Sequence, residues 1–418
     1  MYSYLSPSQK IATDQILNGE NVFITGQAGT GKSYLLNFLK TQLKDKIFYI
    51  TATTGIASVN VGGTTLHSWA GIGVEDIPIE KIAQRILSPK GIQTRKRLQQ
   101  TEILAIDEIS MLSSITFEKV DKLLRIVRDK KEPFGGIQLI LFGDFFQLPP
   151  VDCSIFCFES DVWQEANIKT VILKETFRQR DENFLKLLEH IRYGTINKDD
   201  VLMLKSRFAI QDSGVIKPTI LATHNITVEH INNTKLNDLS TQSFTYEASF
   251  SGKDDKIEML KKNCIAKEIL TLKVGSQVMM LKNTYQKDGI INGSNGTVIG
   301  FSIKKHYPIV LFDNGTELTI TPDCWEISSY NHDSGELEIL ATMTQIPLAL
   351  SWAITIHKSQ GMTLDKAECD LKNVFTDGQV YVALSRVRTL DGLFIKSFDI
   401  NRIKVNKRIV EFYNKIEF

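Results

Sequence analysis

NVFITGQAGTGKSYLLNFLKTQL, residues 21–43, decides the fold of this chain. A short apolar run leads into a glycine-rich loop of pattern GxxxxGK[ST], and the residues after it have helical spacing. In such a strand, loop and helix, backbone N–H groups at the start of the helix point toward a bound phosphate. We expect Lys32 to neutralise the β- and γ-phosphate oxygens of a nucleotide and the Ser33 hydroxyl to bind Mg²⁺. The loop residues that would surround the phosphates are Gly26, Gly29, Thr30 and Gly31.

A second apolar run, Ile103–Ile106, ends in two adjacent carboxylates, Asp107 and Glu108. By itself, an Asp-Glu pair after a strand could equally cap a helix. Downstream of a phosphate-binding loop in the same α/β unit, the pair predicts a Walker B motif. Asp107 would then hold the Mg²⁺ water shell, and Glu108 would polarise the attacking water.

Three further polar side chains could complete a hydrolytic site. Gln147 follows an apolar strand in the turn LFGDFFQLPP, residues 141–150, and its amide suits a hydrogen bond to the γ-phosphate; a turn capped by Asp144 is the alternative. Arg178 and Arg386 lie beyond the first α/β unit, so they could reach the γ-phosphate only across a cleft, as arginine fingers do. Either arginine alone could instead form a surface ion pair that contributes less than about 1 kcal/mol.

Strand-like runs alternate with helical stretches in two parts of the chain, which predicts two parallel sheets with helices on both faces. Between these parts, a segment rich in Gly, Asn, Thr and Val carries many turn signals, which predicts a small all-β insert. The predicted fold class is therefore α/β, with two RecA-like P-loop cores and a small β insert in the second. The expected strands are 21–25, 48–52, 103–106, 138–142 and 171–173 in the first core, and 219–222, 348–353, 367–371 and 393–398 in the second. The predicted domains are 1–70 with 101–168 as the first core, 71–100 as a short insert, 169–240 with 341–418 as the second core, and 241–340 as the β insert.

The composition is that of a globular protein. Of 418 residues, 42% are hydrophobic and 23% charged, and no apolar run reaches the roughly 18 residues that a membrane span needs. The five cysteines are scattered without a CxxC pair, so we expect neither disulfides nor a cysteine metal site. The amino terminus resembles neither a secretory nor a mitochondrial signal, so we expect a protein of the microbial cytoplasm, associated with the nucleoid, or of a nucleus.

Charge alone decides little about a nucleic-acid partner. A net charge of +1 excludes a wholly basic coat protein but leaves room for a local basic track. Residues 81–100 contain cations without acids, which usually marks a solvated helix face; DNA contact is the alternative. These cations are Lys81, Arg85, Lys90, Arg95, Lys96 and Arg97.

Beyond these patterns, the chain resembles the petite-integration-frequency (Pif) helicases, in the 5′-to-3′ branch of helicase superfamily 1. LSPSQKIATDQIL (5–17) resembles the family's Q motif, and TATTGIAS (51–58) and GGTTLHSWAGIG (62–73) resemble its first DNA-contacting motifs. KETFRQ (174–179), WAITIHKSQGMTLD (352–365) and GQVYVALSRV (378–387) resemble its later motifs. The stretch from Phe117 to Val151 resembles a signature that RecD-type relatives lack.

The resemblance implies an ATP-dependent DNA helicase that uses ATP and Mg²⁺ and moves 5′-to-3′ on single-stranded DNA. Its partners would be single strands, single-strand/duplex junctions and G-quadruplex DNA, and it would work as a monomer in DNA repair, recombination or telomere maintenance. It further implies a barrel of the Src-homology-3 kind in the β insert and a strand-separating wedge in the short insert. Implied nucleotide contacts are Gln9 (on the adenine), Gly29, Gly31, Lys32, Ser33, Gln147, Arg178, Gln360, Gly361 and Arg386, with Asp107 at the metal and Glu108 at the water. Implied DNA contacts are Thr53, Thr54, Gly55, His67, Thr223, Asn225, His357 and Lys358.

The residues by themselves support DNA binding less specifically. Thr53, Thr54 and Gly55 are small and can offer backbone N–H groups to phosphates, and His67 near Trp69 could stack on bases. Both aromatic side chains could instead simply pack in the interior. Two other functions stay open: a RecD-like helicase, which would share both Walker motifs, and a nucleotide-switched scaffold that clamps DNA without translocating.

Overall fold

The first parallel sheet contains six strands and forms the core that carries the phosphate-binding loop. The computed structural model describes residues 2–73, 77–150, 155–179, 181–208, 210, 212, 214, 216–330, 337–372 and 374–417. In the first core lie α1 (Pro7–Leu17), β1 (Val22–Gly26), α2 (Lys32–Gln42), β2 (Phe48–Ala52), α3 (Gly55–Asn60), β3 (Thr64–Thr65), α4 (Leu66–Ala70), α5 (Ile79–Leu87), α6 (Ile92–Gln100), β4 (Ile103–Asp107), α7 (Ser114–Arg128), β5 (Gln138–Phe142), α8 (Asp161–Glu165) and β6 (Lys169–Leu173). The strand order is β3-β2-β4-β5-β1-β6, and all neighbours are parallel. Helices cover both faces, so β1 and β2 are buried along their whole length, which explains their continuous apolar sequence.

The second core contains a smaller parallel sheet of order β18-β7-β19-β20. The remaining elements, in chain order, are α9 (Glu182–Tyr193), α10 (Lys198–Lys205), β7 (Thr219–Ala222), α11 (Asn225–Asn237), β8 (Ser243–Glu247), β9 (Ser249–Gly252), α12 (Asp254–Asn263), β10 (Ile269–Lys273), β11 (Gln277–Met280), β12 (Asn295–Phe301), β13 (Pro308–Phe312), β14 (Glu317–Thr319), β15 (Asp323–Tyr330), β16 (Leu337–Gln345), β17 (Leu348–Leu350), β18 (Ala353–Thr355), β19 (Ala367–Asp370), α13 (Gln379–Leu384), β20 (Leu393–Ser397) and α14 (Lys407–Glu417). The two parallel sheets confirm the predicted fold class.

The insert in the second core is built mainly from antiparallel strands. A five-stranded sheet, β14-β13-β12-β11-β17, shares one apolar core with the strand pair β10-β8, and a three-stranded sheet, β15-β16-β9, lies beside helix α12. The prediction of an all-β insert missed α12, although its sequence signals a helix: Asp254 and Asp255 stand in the first turn and Lys261 and Lys262 in the last, which suits the helix dipole. Leu260 of α12 packs with Val59, so the insert contacts α3 of the first core.

The observed domain boundaries differ from the predicted ones in three places. Strand β6 pairs with β1, so residues 169–173 belong to the first sheet. The predicted strand 348–353 is two strands, because β17 pairs with β11 of the insert and only β18 joins the second sheet. Helix α14 returns to the first core, where Tyr413 is buried in its apolar cluster and Phe412 stacks on Phe158 at 4.2 Å between ring centres.

Some of the predicted regions lie partly outside the described residues. Residues 74–76 of the predicted wedge and 331–336 of the predicted insert lie outside the described residues, as do Cys153 and Val151. Cys157, Cys264, Cys324 and Cys369 are free thiols. Among the helices of the described ranges, none is long and apolar enough to cross a lipid bilayer.

Candidate nucleotide-binding and DNA-binding sites

A cavity of about 510 Å³ between the two cores brings most of the predicted nucleotide residues together. The carboxyl ends of β1, β4 and β5 meet at one edge of the first sheet and supply its first wall, as is usual for ligand sites of open parallel sheets. The second core supplies the facing wall. Of the predicted residues, the cavity is lined by Gly29, Thr30, Gly31, Lys32, Ser33, Asp107, Glu108, Gln147, Arg178, Gly361 and Arg386.

The phosphate-binding loop needs its glycines for both conformation and space. Gly29 has φ 87°, and a Cβ there would lie 2.5 Å from the Arg178 Cβ. Lys32 donates hydrogen bonds to the carbonyl oxygens of Gly26 and Gln27, at 2.7 and 3.0 Å. Burial lowers the pKa of this ammonium to about 8, partly offset by nearby carboxylates. A phosphate would therefore give Lys32 the strong negative partner that two carbonyl groups cannot supply.

Glu108 is a strained residue contacted from two sides. Its φ of 53° lies in the left-handed region, which costs a residue with a side chain on the order of 1–3 kcal/mol. The Thr53 hydroxyl donates to the Glu108 carbonyl oxygen at 2.9 Å, and the Gln360 amide donates to the Glu108 carboxylate at 2.7 Å. Burial raises the pKa of both Asp107 and Glu108. Gln360 therefore contacts the candidate base, Glu108, and lines the neighbouring cleft. It is not among the residues that line the nucleotide cavity.

Arg178 lies in the connection between the cores and reaches the second one. Its guanidinium donates to the Thr363 hydroxyl at 2.9 Å and to the Ser385 carbonyl oxygen at 3.0 Å. Burial, followed by the neighbouring Arg386, lowers its pKa to about 9. The surface ion pair considered from sequence is therefore wrong for Arg178, because its partners are neutral groups of the second core.

Arg386 faces the same cavity from the second core but is only 1% exposed. It donates to the carbonyl oxygens of Val382 and Ser359, at 2.8 and 3.3 Å, and to the Ser385 hydroxyl at 2.8 Å. Burial lowers its pKa to about 10. The surface alternative is wrong here too, and an arginine this buried among neutral acceptors is positioned for an anion in the cavity.

Two predicted nucleotide residues lie at the margin of the cavity. The Gln9 amide donates to the Gly31 carbonyl oxygen at 3.4 Å, so Gln9 borders the phosphate-binding loop. Gly26 precedes the loop in β1, where a Cβ would lie 2.6 Å from the Leu173 carbonyl oxygen, so its backbone is the part available to a ligand. Across the cleft, the Tyr381 hydroxyl of α13 accepts a hydrogen bond from the Ala28 N–H at 3.0 Å, which ties the loop to the second core.

Asp144 caps its turn, as considered from sequence, by accepting from the Phe146 N–H at 3.2 Å. It is fully buried and forms two hydrogen bonds with the Arg192 guanidinium, at 3.1 and 2.8 Å. This buried ion pair joins the end of β5 to helix α9 of the second core. Gln147 follows on the same turn and reaches the cavity wall.

The predicted DNA contacts of the first core are largely engaged within the protein. The Thr54 hydroxyl caps α3 by accepting from the Ala57 N–H at 3.2 Å, and the Thr53 hydroxyl is held by Glu108. Gly55 lies beneath the insert, since a Cβ there would lie 2.1 Å from Asn263.

For His67 and Trp69 the sequence left two alternatives open, stacking on DNA bases and packing in the interior. His67 is half-buried, and burial lowers its pKa, so it would meet a strand as a neutral ring. Trp69 is 1% exposed and packs near Tyr49, with ring centres 6.3 Å apart. The stacking role is therefore wrong for Trp69, which is a core residue.

The predicted DNA contacts of the second core form one group at the surface, in which Asn225 is exposed and the others are half-buried. Strands β7 and β18 are neighbours, so the residues after their carboxyl ends, Thr223 with Asn225 and His357 with Lys358, lie at the same edge. Sequence reasoning missed Phe375, whose side chain is 62% exposed. Its ring lies 5.7 Å from that of His224 and 6.5 Å from that of His357, nearly parallel to the latter. An exposed aromatic between two imidazoles suits base stacking; the only signal in sequence was an aromatic in a polar loop.

The cations of the short insert are used mainly for local structure. Arg85 donates to the Gly71 carbonyl oxygen, Arg95 to that of Leu87 and Arg97 to that of Trp69. The Arg95 bond joins α6 to the end of α5, and the other two tie these helices to α4 and the residue that follows it. They favour the structural reading of these three arginines over DNA contact.

A cleft between two parallel-sheet cores, with a phosphate-binding loop and paired carboxylates on one side and a buried arginine on the other, defines a P-loop protein of the two-RecA-core class. The family model of the PIF1-like helicases matches residues 4–201, and that of the DNA helicase Pif1 2B domain matches residues 257–301. The chain belongs to the Pif1 helicase family.

Individual relatives support this membership along the whole chain. ATP-dependent DNA helicase PIF1 of Xenopus laevis is 40% identical over 99% of this chain and 64% of its own length; the chain thus spans less than two thirds of that relative. ATP-dependent DNA helicase Pif1 of Bdellovibrio bacteriovorus is 37% identical over 99% of this chain and 92% of its own.

Solved structures of Bacteroides sp. Pif1, 32% identical over 99% of this chain and 97% of that one, share the fold. The TM-score is 0.87 for the complex with ADP-AlF4 and 0.67 for the form bound to single-stranded DNA. The arrangement seen here is therefore closer to the first of these two structures.

Proposed function

We propose that the protein is an ATP-dependent DNA helicase that moves 5′-to-3′ along single-stranded DNA and unwinds duplex or structured DNA. One observation carries the proposal. Glu108, the candidate general base, lies in the wall of the nucleotide cavity and is hydrogen-bonded to both segments that are candidates for DNA contact, through Thr53 and Gln360. Nucleotide and strand would thus act on one residue, as an ATP-driven motor requires.

The cavity residues divide the work of hydrolysis. The loop N–H groups and Lys32 bind the phosphates, with Lys32 exchanging its two carbonyl partners for phosphate oxygens. Glu108 orients and polarises the attacking water, since its raised pKa makes it a stronger base than an exposed carboxylate. The Gln147 amide lies at the γ-phosphate. Arg178 and Arg386 neutralise the charge that develops during transfer.

Ser33 and Asp107 fit Mg²⁺ as the second component of the substrate. Both line the cavity, and one hydroxyl plus one carboxylate, completed by phosphate oxygens and water, is how Mg²⁺ usually binds beside a nucleotide. When bound, Mg²⁺ neutralises part of the phosphate charge. Burial raises the pKa of Asp107, and a cation beside it would favour the ionised carboxylate.

Movement along DNA would follow from closure of the cleft. Tyr381 and Gln360 of the second core already contact the Ala28 N–H and Glu108 of the first. When ATP draws the cores together and product release separates them, the strand-contacting edge beside His357 would shift relative to Thr54. The solved complex of Bacteroides Pif1 with single-stranded DNA supports a single strand as the ligand of this protein.

The finer parts of the proposal concern polarity and substrates. The 5′-to-3′ direction rests on the resemblance of the motifs to that branch of superfamily 1. Single-strand/duplex junctions and G-quadruplexes are the proposed substrates, a monomer the working unit, and repair, recombination or telomere maintenance the setting. The protein would act where its DNA lies, in a microbial cytoplasm or a nucleus.

A strand-displacement assay tests the proposal against its alternatives. Duplexes with a 5′ or a 3′ single-stranded tail are incubated with ATP, and the Glu108→Gln variant serves as the control without hydrolysis. We expect displacement from the 5′-tailed duplex alone. Displacement from the 3′-tailed duplex would contradict the polarity, whereas DNA-stimulated ATP hydrolysis without displacement from either would favour the nucleotide-switched scaffold.

A further inference from the structure

We propose that Gln360 is a positioning residue that restrains Glu108 until a DNA strand binds, so that strand binding switches on ATP hydrolysis. This inference rests on the proposed helicase function and deepens it. It assigns to Gln360 a role in DNA stimulation in place of the nucleotide contact that the family resemblance implied.

The contact itself limits access to the Glu108 carboxylate. The Gln360 amide donates to one carboxylate oxygen of Glu108 at 2.7 Å, across the cleft between the cores. The same bond occupies an oxygen that would otherwise accept a hydrogen bond from the attacking water. Glu108 is therefore less accessible to the attacking water while the bond persists.

A second contact comes from the other strand-facing segment. The Thr53 hydroxyl donates to the Glu108 carbonyl oxygen at 2.9 Å, and the Thr53 N–H donates to the Asp107 carbonyl oxygen at 3.3 Å. These bonds hold the backbone of Glu108 in its left-handed conformation, with φ 53°. The side chain and the backbone of the candidate base are thus each fixed by a segment that is a candidate for DNA contact.

Gln360 is mechanically linked to the strand-contacting edge. It stands in the turn after β18, where the Gln360 N–H donates to the His357 carbonyl oxygen at 3.2 Å and the Lys358 N–H donates to the Thr355 hydroxyl at 3.2 Å. His357 and Lys358 line the same cleft as Gln360 and Glu108. A strand that pulls on His357 or Lys358 would displace this turn as a unit, and the Gln360 amide with it.

Steady-state ATP hydrolysis without DNA is the direct test, because a rate measured without DNA cannot reflect DNA affinity. For Gln360→Ala we expect the DNA-free kcat to rise about tenfold, equivalent to about 1.4 kcal/mol of activation free energy. That lies near the contribution of one hydrogen bond to a charged group. The KM for ATP should stay within about twofold, and the rate with saturating single strands should stay near wild type, so the stimulation ratio falls. Gln286→Ala, which changes a glutamine in the wall of the same cleft, is the matched control and should match wild type.

Two further variants keep the test decisive. Gln360→Leu removes the donor but keeps most of the side-chain volume, and it should behave like the alanine variant. Adding Glu108→Gln to Gln360→Ala should abolish the gain, because the gain passes through Glu108. Thermal unfolding confirms that each variant is folded.

The outcomes separate this inference from the proposed function. A Gln360→Ala protein with an unchanged DNA-free rate, or with both rates lowered together, would overturn the restraint while leaving a DNA-stimulated wild type as a helicase. A rise in the KM for ATP with no gain in kcat would return Gln360 to a nucleotide contact. A wild-type enzyme that single strands fail to stimulate would overturn both proposals.

Discussion

Replacing Arg386 with alanine perturbs catalysis and packing together, and the structure allows the two effects to be separated. The guanidinium faces the nucleotide cavity, yet it also donates to three acceptors of its own core, on Val382, Ser359 and Ser385. Arg386→Ala therefore removes a positive charge that the second core presents to the nucleotide cavity, together with three internal hydrogen bonds. We expect ATP to bind, through Lys32 and the loop, but not to be hydrolysed.

The two effects differ greatly in size. The acceptors keep other donors, because the Ser359 carbonyl oxygen also accepts from the Met362 N–H and the Val382 carbonyl oxygen also accepts from the Ser385 hydroxyl. The loss is therefore that of three hydrogen bonds, which contribute roughly 0.5–1.5 kcal/mol each. A protein stable by about 5–15 kcal/mol that loses about 3 kcal/mol still stays almost wholly folded, so lost stability accounts for only a small fall in turnover. An arginine that stabilises phosphoryl transfer is worth roughly 10³–10⁵-fold in rate. A fall of that size would identify a catalytic contribution of Arg386.

Single-turnover hydrolysis with saturating single-stranded DNA, together with the melting temperature, gives the answer. Arg386→Lys should recover only part of the rate, because a point charge cannot reproduce the planar fork. Ser385→Ala is the control: it removes one acceptor of the guanidinium but keeps the arginine, and it should lower the melting temperature more than the rate. An Arg386→Ala variant that hydrolyses ATP within a few-fold of wild type would refute the reasoning and leave Arg386 a structural residue.

Other predictions follow from the same contacts. Lys32→Ala should lower ATP hydrolysis at least about 100-fold with little change in single-strand affinity; comparable turnover would contradict the phosphate site. Glu108→Gln should trap a complex with both ATP and DNA, detectable by fluorescence anisotropy, unless Glu108 is only structural. Burial lowers the pKa of Lys32 to about 8, so affinity for a non-hydrolysable ATP analogue should fall as the pH rises through that value, and a flat profile would argue against it. The affinity for single-stranded DNA should weaken as the salt concentration rises, whatever the DNA sequence. Phe375→Ala should weaken the free energy of single-strand binding by roughly 1–3 kcal/mol. Ile303→Ala, at an exposed apolar residue of the insert, should have no effect.

The parts of the fold that the sequence predicted well are those fixed by local pattern. Strands β2 and β5 have the predicted bounds, because strands covered on both faces need continuous apolar residues. The phosphate-binding loop and the Asp-Glu pair were found because their chemistry requires particular residues at fixed spacing. Helix α12 could have been found by the same means, from its acidic first turn and basic last turn.

The parts that escaped depend on contacts distant in sequence. Nothing local shows that helix α14 crosses back to the first core, since an amphipathic helix does not reveal which surface it covers. From the sequence, Trp69 could either stack on DNA bases or pack in the interior. Its burial by residues distant in sequence shows that it packs. The hydrogen bond between Gln360 and Glu108 also escaped prediction, because it forms only where the two cores approach each other.

The approach of the two cores also explains how the site could bind its ligands without binding them too tightly. Lys32 is bonded to loop carbonyls, Arg386 to acceptors of its own core and Glu108 to Gln360. ATP or DNA must exchange these internal bonds for its own, so each binding step gains only the difference between two sets of hydrogen bonds. A small net gain per step is what a motor needs, because it must release the nucleotide and advance on the strand in every cycle. The internal bonds are therefore part of the mechanism. Removing the bond from Gln360 to Glu108 is expected to raise the DNA-free rate of hydrolysis, whereas removing a ligand contact such as Lys32 lowers the rate.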